Sequence, residues 1–134
     1  MAEATVRKVR PKYLNVIQIR LPLPGIVSIL HRISGVGLFL ALGGLIWLLG
    51  ASLGSAEQLD ELRSVLAFSL LGLPVLKLVL LGLVWAFLHH FCAGIRFLLL
   101  DMHQGIELET ARKTAVAVLA VSLILTAVLG VLTW

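Results

Sequence analysis

Three long stretches of this chain carry almost no charge, and that limits what it can fold into more than any other feature. Residues 33–56 contain no Asp, Glu, Lys or Arg and include the run GVGLFLALGGLIWLLGASL. A second run, from about Leu66 to Leu100, is interrupted only by Pro74, Lys77, His89, His90 and Arg96. A third, from Thr114 to Trp134, is uncharged to the last residue. At 1.5 Å per residue, about twenty helical residues cross a hydrocarbon layer of about 30 Å. The pattern predicts an all-α membrane protein with transmembrane helices at about residues 28–53, 68–98 and 113–134. These form a single domain over residues 28–134, preceded by a basic segment of residues 1–27. The second run is too long for one untilted span, which predicts helix beyond the bilayer or a break at Pro74.

Composition excludes the alternatives. Of the 134 residues, 60% are apolar and 13% charged, whereas a soluble domain is nearer half apolar and a quarter charged. A domain of this size leaves too much surface exposed to hide that excess in its own core. Disorder and nucleic-acid binding are excluded despite the basic balance, because the basic leader adjoins an apolar span and reads as topology. The single Cys92 rules out an internal disulfide and reads as a small buried apolar residue. No cleaved leader is expected, since the apolar runs begin only after about thirty residues.

Charge orients the spans. Arg7, Lys8, Arg10, Lys12 and Arg20 face only Glu3 in the leader, which accounts for the whole net charge of +4. The first connection, Gly54 to Arg63, has one Arg against Glu57, Asp60 and Glu61, while the second holds Arg96, Arg112 and Lys113. The positive-inside rule places the amino terminus and second connection in the cytoplasm, with the first connection and Trp134 outside. Trp47 and Trp134 then lie near the outer interface, and Lys77 snorkels there.

Ionisable groups at membrane depth are costly and mark function. Ser28, His31, Arg32 and Gly35 lie at i, i+3, i+4 and i+7, on one face of the first helix. A hydroxyl, an imidazole and a guanidinium so grouped supply donors to a partly buried carbonyl or anion. The competing reading is anchoring, with Arg32 on lipid phosphate and Ser28 capping the helix. Late in the second helix, LHHFCAGIRFLLLD holds His89, His90 and Arg96. A neutral imidazole nitrogen binds haem iron, and Gly82, Ala86, His90 and Gly94 recur at i+4, leaving room for a flat ring. His89 points about 100° away but is also flanked by alanines. Spacing leaves open which of them is a ligand and whether either is more than a buried, hydrogen-bonded histidine. Antiparallel first and second helices bring the two clusters into one half of the membrane. One ligand at mid-span would need a second from another chain. His103 reads as a solvated loop residue, and the glycines of the first span as sites of close helix packing.

The order of these motifs resembles the cytochrome b membrane subunit of succinate dehydrogenase. The resemblance rests on Arg10–Pro11, IRLPLPGIVSILHRISGVGLF, HHFCAGIRFLLLD and a third span ending at Trp134. It implies half of a heterodimeric haem-binding helix bundle in a bacterial inner membrane. The implied partners are a second small membrane subunit supplying the other axial histidine, an iron–sulfur subunit and a flavoprotein subunit. Haem b is the implied cofactor and ubiquinone the substrate. The axial ligand falls on His90, the quinone-binding positions on Ser28, Ile29, His31 and Arg32, and the haem-propionate vicinity on His31 and Arg96. Phe97 departs from the family, whose members often carry a histidine there. Succinate oxidation itself is expected on another polypeptide. The rivals are the anchor of a fumarate reductase, a haem-free anchor, and a small homo-oligomeric channel or transporter.

Overall fold

The structure is a computed structural model that describes residues 19–133. The basic segment up to residue 18, with Arg10 and Pro11, and Trp134 lie outside the described residues. The described chain folds as α1 (Leu23–Ser52), α2 (Ala56–Leu66), α3 (Val75–Asp101) and α4 (Leu108–Thr133). Helices α1, α3 and α4 are each long and apolar enough to cross a membrane, where a helix satisfies its own backbone groups. This is an all-α membrane protein. With 30 residues, α1 extends about 45 Å and outruns the hydrocarbon layer.

Local chemistry sets the helix ends. Helix α1 starts five residues before the expected span, because Pro24 sits in its first turn, where the missing N–H has no partner to lose. The Gly25 and Ile26 N–H groups bond back to the Pro22 carbonyl at 2.8 and 3.2 Å. Ser28 therefore lies inside the helix and cannot cap it. The first connection, expected as a loop, contains α2. Its signal is Ser55 with Gln58 three residues on, which form a reciprocal capping box. Helix α2 buries Leu62 and packs back on α1, where Ala51 is buried.

Pro74 divides the second apolar run. Leu70 and Leu73 exchange backbone hydrogen bonds of 3.0 Å across a tight turn, with positive φ at Leu71 and Gly72. Helix α3 follows directly, because Pro74 disfavours helix in the residue before it but starts one readily. At the other end, His103 adopts φ 60°. Its N–H reaches the Leu100 carbonyl and that of Gln104 the Leu99 carbonyl, both at 2.9 Å. That pattern is a Schellman stop with histidine in the place usually taken by glycine.

Helix α3 is the middle of the bundle, packing on both α1 and α4 more extensively than they pack on each other. The core is narrow: Val27, Ala93, Ala115 and Val118 are buried together, small side chains that let helices approach closely. Phe39, Leu40 and Leu132 remain 75%, 77% and 76% exposed, as expected where lipid is the solvent. Among the glycines of the first span, Gly35 alone meets another helix of this chain. Gly37, Gly43, Gly44 and Gly50 have nothing within 4 Å of a would-be Cβ.

Candidate functional site

The α1–α3 interface is built from a reciprocal motif. Each helix carries a histidine with a glycine four residues on: His31 and Gly35 on α1, His90 and Gly94 on α3. In a helix these share a face, and antiparallel packing sets each ring over the opposite glycine. A Cβ at Gly35 would come within 2.8 Å of His90 Cε1, and one at Gly94 within 3.7 Å of His31 Nε2. The two imidazoles stack, with centroids 4.1 Å apart and planes 10° from parallel. Phe97 closes the far side of His31 at 5.1 Å. Residues 59 positions apart in sequence thus form one compact polar site within the membrane.

The hydrogen bonds around His90 define its tautomer. Its Nδ1 lies 3.0 Å from the His31 carbonyl oxygen and 3.2 Å from Ser34 Oγ. A carbonyl only accepts, so Nδ1 carries the proton and donates. Ser34 Oγ donates its own hydrogen to the same carbonyl at 2.9 Å, leaving a lone pair toward Nδ1. In the neutral ring, Nε2 is then the nitrogen that carries the lone pair. That is how a metal-binding histidine is normally held, with one nitrogen tied to a carbonyl and the other presenting its lone pair. The ring is half-buried, and in this orientation it could hold a haem iron through Nε2. Because His31 lies parallel against it, the two rings cannot ligate one iron from opposite faces.

His89 leaves α3 in another direction. It is fully buried, with Trp85 tilted against it at 5.4 Å. The Val27 backbone lies beside the ring without completing a hydrogen bond, and neither ring nitrogen has a partner among the described residues. No iron can approach it without opening the bundle.

Arg96 is also buried, and it turns toward α4. Its Nε–H donates to Thr114 Oγ1 at 3.0 Å and one Nη–H to the Ala111 carbonyl at 3.2 Å. The structure does not bring it into the His31–His90 stack; its link there runs through Phe97, 5.5 Å beneath the guanidinium. Ser28, Ile29 and Arg32 lie on the outer side of α1. Ile29 is 41% exposed, Arg32 exposed and Ser28 half-buried. They border the stack through His31, with Ser28 on its flank and Arg32 and Ile29 progressively more outward on the helix.

A family model for the succinate dehydrogenase/fumarate reductase transmembrane subunit matches residues 6–129. The chain belongs to that family. Among its relatives, the succinate dehydrogenase cytochrome b556 subunit of Paracoccus denitrificans is 34% identical, over 79% of this chain and 78% of the relative. The subunit of the same name from Coxiella burnetii is 34% identical over 93% of this chain and 97% of the relative. That of Rickettsia felis is 30% identical, over 91% of each.

Membership in this family does not by itself reveal Ser34, which reading the sequence also passed over. Ser34 follows His31 by three residues, which places it on the same turn, but a serine in an apolar helix is an ordinary residue. Its role depends on His90 arriving from α3. Thr114 went unnoticed for the same reason, since its hydroxyl has significance only opposite Arg96.

Proposed function

We propose that this chain is a membrane-anchor cytochrome b subunit of a bacterial succinate dehydrogenase. In this reading it helps to hold a flavoprotein and an iron–sulfur subunit at the inner membrane, pairs with a second small membrane subunit, and ligates haem b through His90. The observation that carries it is the fixed tautomer of His90, with Nδ1–H on the His31 carbonyl and Nε2 open. Since His31 stacks on His90, it would not serve as a second ligand, and a histidine of the second small membrane subunit would supply one. When bound, haem b supplies a one-electron centre between the two subunits. His31 serves the propionate side, whereas Arg96, committed to α4, fastens the helix that carries the ligand.

The quinone site takes the outer face of α1. Reduction of ubiquinone adds two electrons and two protons, so developing negative charge on its oxygens needs nearby donors and a cation in a site shielded from water. The Ser28 hydroxyl donates to one carbonyl oxygen, Arg32 stabilises the charge, and Ile29 contributes apolar contact to the ring. His31, between this face and His90, relays protons. No residue of the chain is assigned to succinate oxidation. The amino terminus is cytoplasmic and the carboxyl terminus periplasmic, as the basic leader and second connection favour. The family also includes fumarate reductase anchors; the names of the relatives favour the succinate dehydrogenase direction.

Purification of the chain from its native membrane tests the reading. The expected result is co-purification with a flavoprotein and an iron–sulfur protein, a reduced b-type α-band, and succinate–quinone activity. A chain that purifies alone, or a complex without that band, refutes it.

A further inference from the structure

Arg96 poses an electrostatic problem that the proposed function leaves unsolved. It is 6% exposed, and among the described residues its contacts are the Thr114 hydroxyl, the Ala111 carbonyl and the Phe97 ring. All three are neutral. The ion pairs among the described residues, Arg63 with Asp60 and Lys113 with Glu109, are exposed and do not include it. A guanidinium keeps its proton, and a buried charge without a counter-charge beside it is costly.

The guanidinium borders a groove of about 300 Å³ between α3 and α4. At one end of the groove are Gln104 and Gly105 of the connecting loop; its walls include Ile95, Leu99, Ala117 and Val118. Arg96 lies five residues before the end of α3, about 7.5 Å along the axis, where a side chain meets headgroups. Arg112 and Lys113 stand at the same end on α4. The groove is thus apolar along its walls, with the buried Arg96 guanidinium bordering it near the end of the bundle that also carries Arg112 and Lys113.

We propose that this groove binds an anionic glycerophospholipid, its phosphate paired with Arg96 and an acyl chain along Ile95, Leu99 and Ala117. The apolar walls favour a lipid over free phosphate, which would leave them without an occupant. A phosphate accepts the charge-assisted hydrogen bonds that Arg96 still has to donate.

The test uses the protein extracted in mild detergent with whatever subunits accompany it, and native mass spectrometry to count retained phospholipid by headgroup. Wild-type protein is expected to keep phosphatidylglycerol or cardiolipin through delipidation. Arg96→Gln should lower that retention about tenfold. Ala117→Phe, which fills the acyl slot and leaves the charge, should do the same, while Arg112→Gln should retain the lipid. Adding dioleoyl phosphatidylglycerol to delipidated wild-type protein should raise its Tm, and phosphatidylcholine or inorganic phosphate should not. Retention of no anionic lipid by the wild type, as when a carboxylate of another subunit pairs with Arg96, overturns the proposal. Equal stabilisation by phosphatidylcholine or by inorganic phosphate also overturns it. If Arg96→Gln does not fold, Ala117→Phe and the lipid additions decide.

Discussion

The two sides of α3 use similar residues to opposite ends. Toward α1, His90 is half-buried, tied through Nδ1 to a carbonyl and a hydroxyl, and open at Nε2. Toward the interior, His89 is fully buried with neither nitrogen satisfied, and Arg96 is fastened to α4. Depth of burial is thus a poor guide to ligation. A ligand needs one nitrogen held and the other accessible, and the held Nδ1 and partial exposure of His90 are why it, and not His89, is the proposed ligand. In the proposed function the α1 side carries the ligand-binding residues, while the α4 side, through Arg96, Thr114 and Ala111, holds the helices together.

The contrast breaks most decisively at the histidines themselves. His90→Leu should abolish or convert the b-type spectrum of the purified complex, while His89→Leu should preserve it; the reverse result would transfer the ligand to the buried side. Next in size is Arg32→Leu. Losing a charge that stabilises a developing anion typically costs about a hundredfold or more, so succinate–quinone turnover should fall on that scale while succinate oxidation by an artificial acceptor persists. Parallel loss of both activities would make Arg32 an assembly residue. A graded test comes from the glycines. Gly35→Ala puts a methyl 2.8 Å from His90 Cε1 and should weaken haem retention about tenfold, the lower end for disturbing a ligand's support. Gly94→Ala, at 3.7 Å from His31, should be tolerated.

Smaller effects sharpen the α4 side. Thr114→Val removes a hydrogen bond to a buried charge and should lower stability by about 1.5–3 kcal/mol in thermal or denaturant unfolding, with the haem spectrum unchanged. For His89→Leu, an apolar side chain of similar size replaces an unsatisfied polar one, so stability should hold or rise by about 1 kcal/mol. A clear loss would mean that the ring is hydrogen-bonded in place, with the Val27 backbone beside it as the partner.

Much of the architecture was legible because hydropathy reports the solvent each segment needs, and lipid leaves a helix as the economical answer. The three spans and the break-prone Pro74 followed from residue order. The capping box at Ser55 and Gln58 announced α2, but its short amphipathic stretch between long apolar runs read as a loop. Helix α1 starts before the expected span because a proline in the first turn promotes a helix, a local effect that hydropathy does not report.

By itself, the sequence determined that this chain crosses a membrane three times and carries a histidine-and-arginine cluster on each of two antiparallel helices. The tertiary structure decided which of two adjacent histidines is available, that Ser34 helps to orient it, and that Arg96 turns away from it. The reason is geometric. Neighbouring helical residues diverge by about 100°, so whether a side chain meets a carbonyl, a glycine or lipid depends on a helix contributed by residues some sixty positions away.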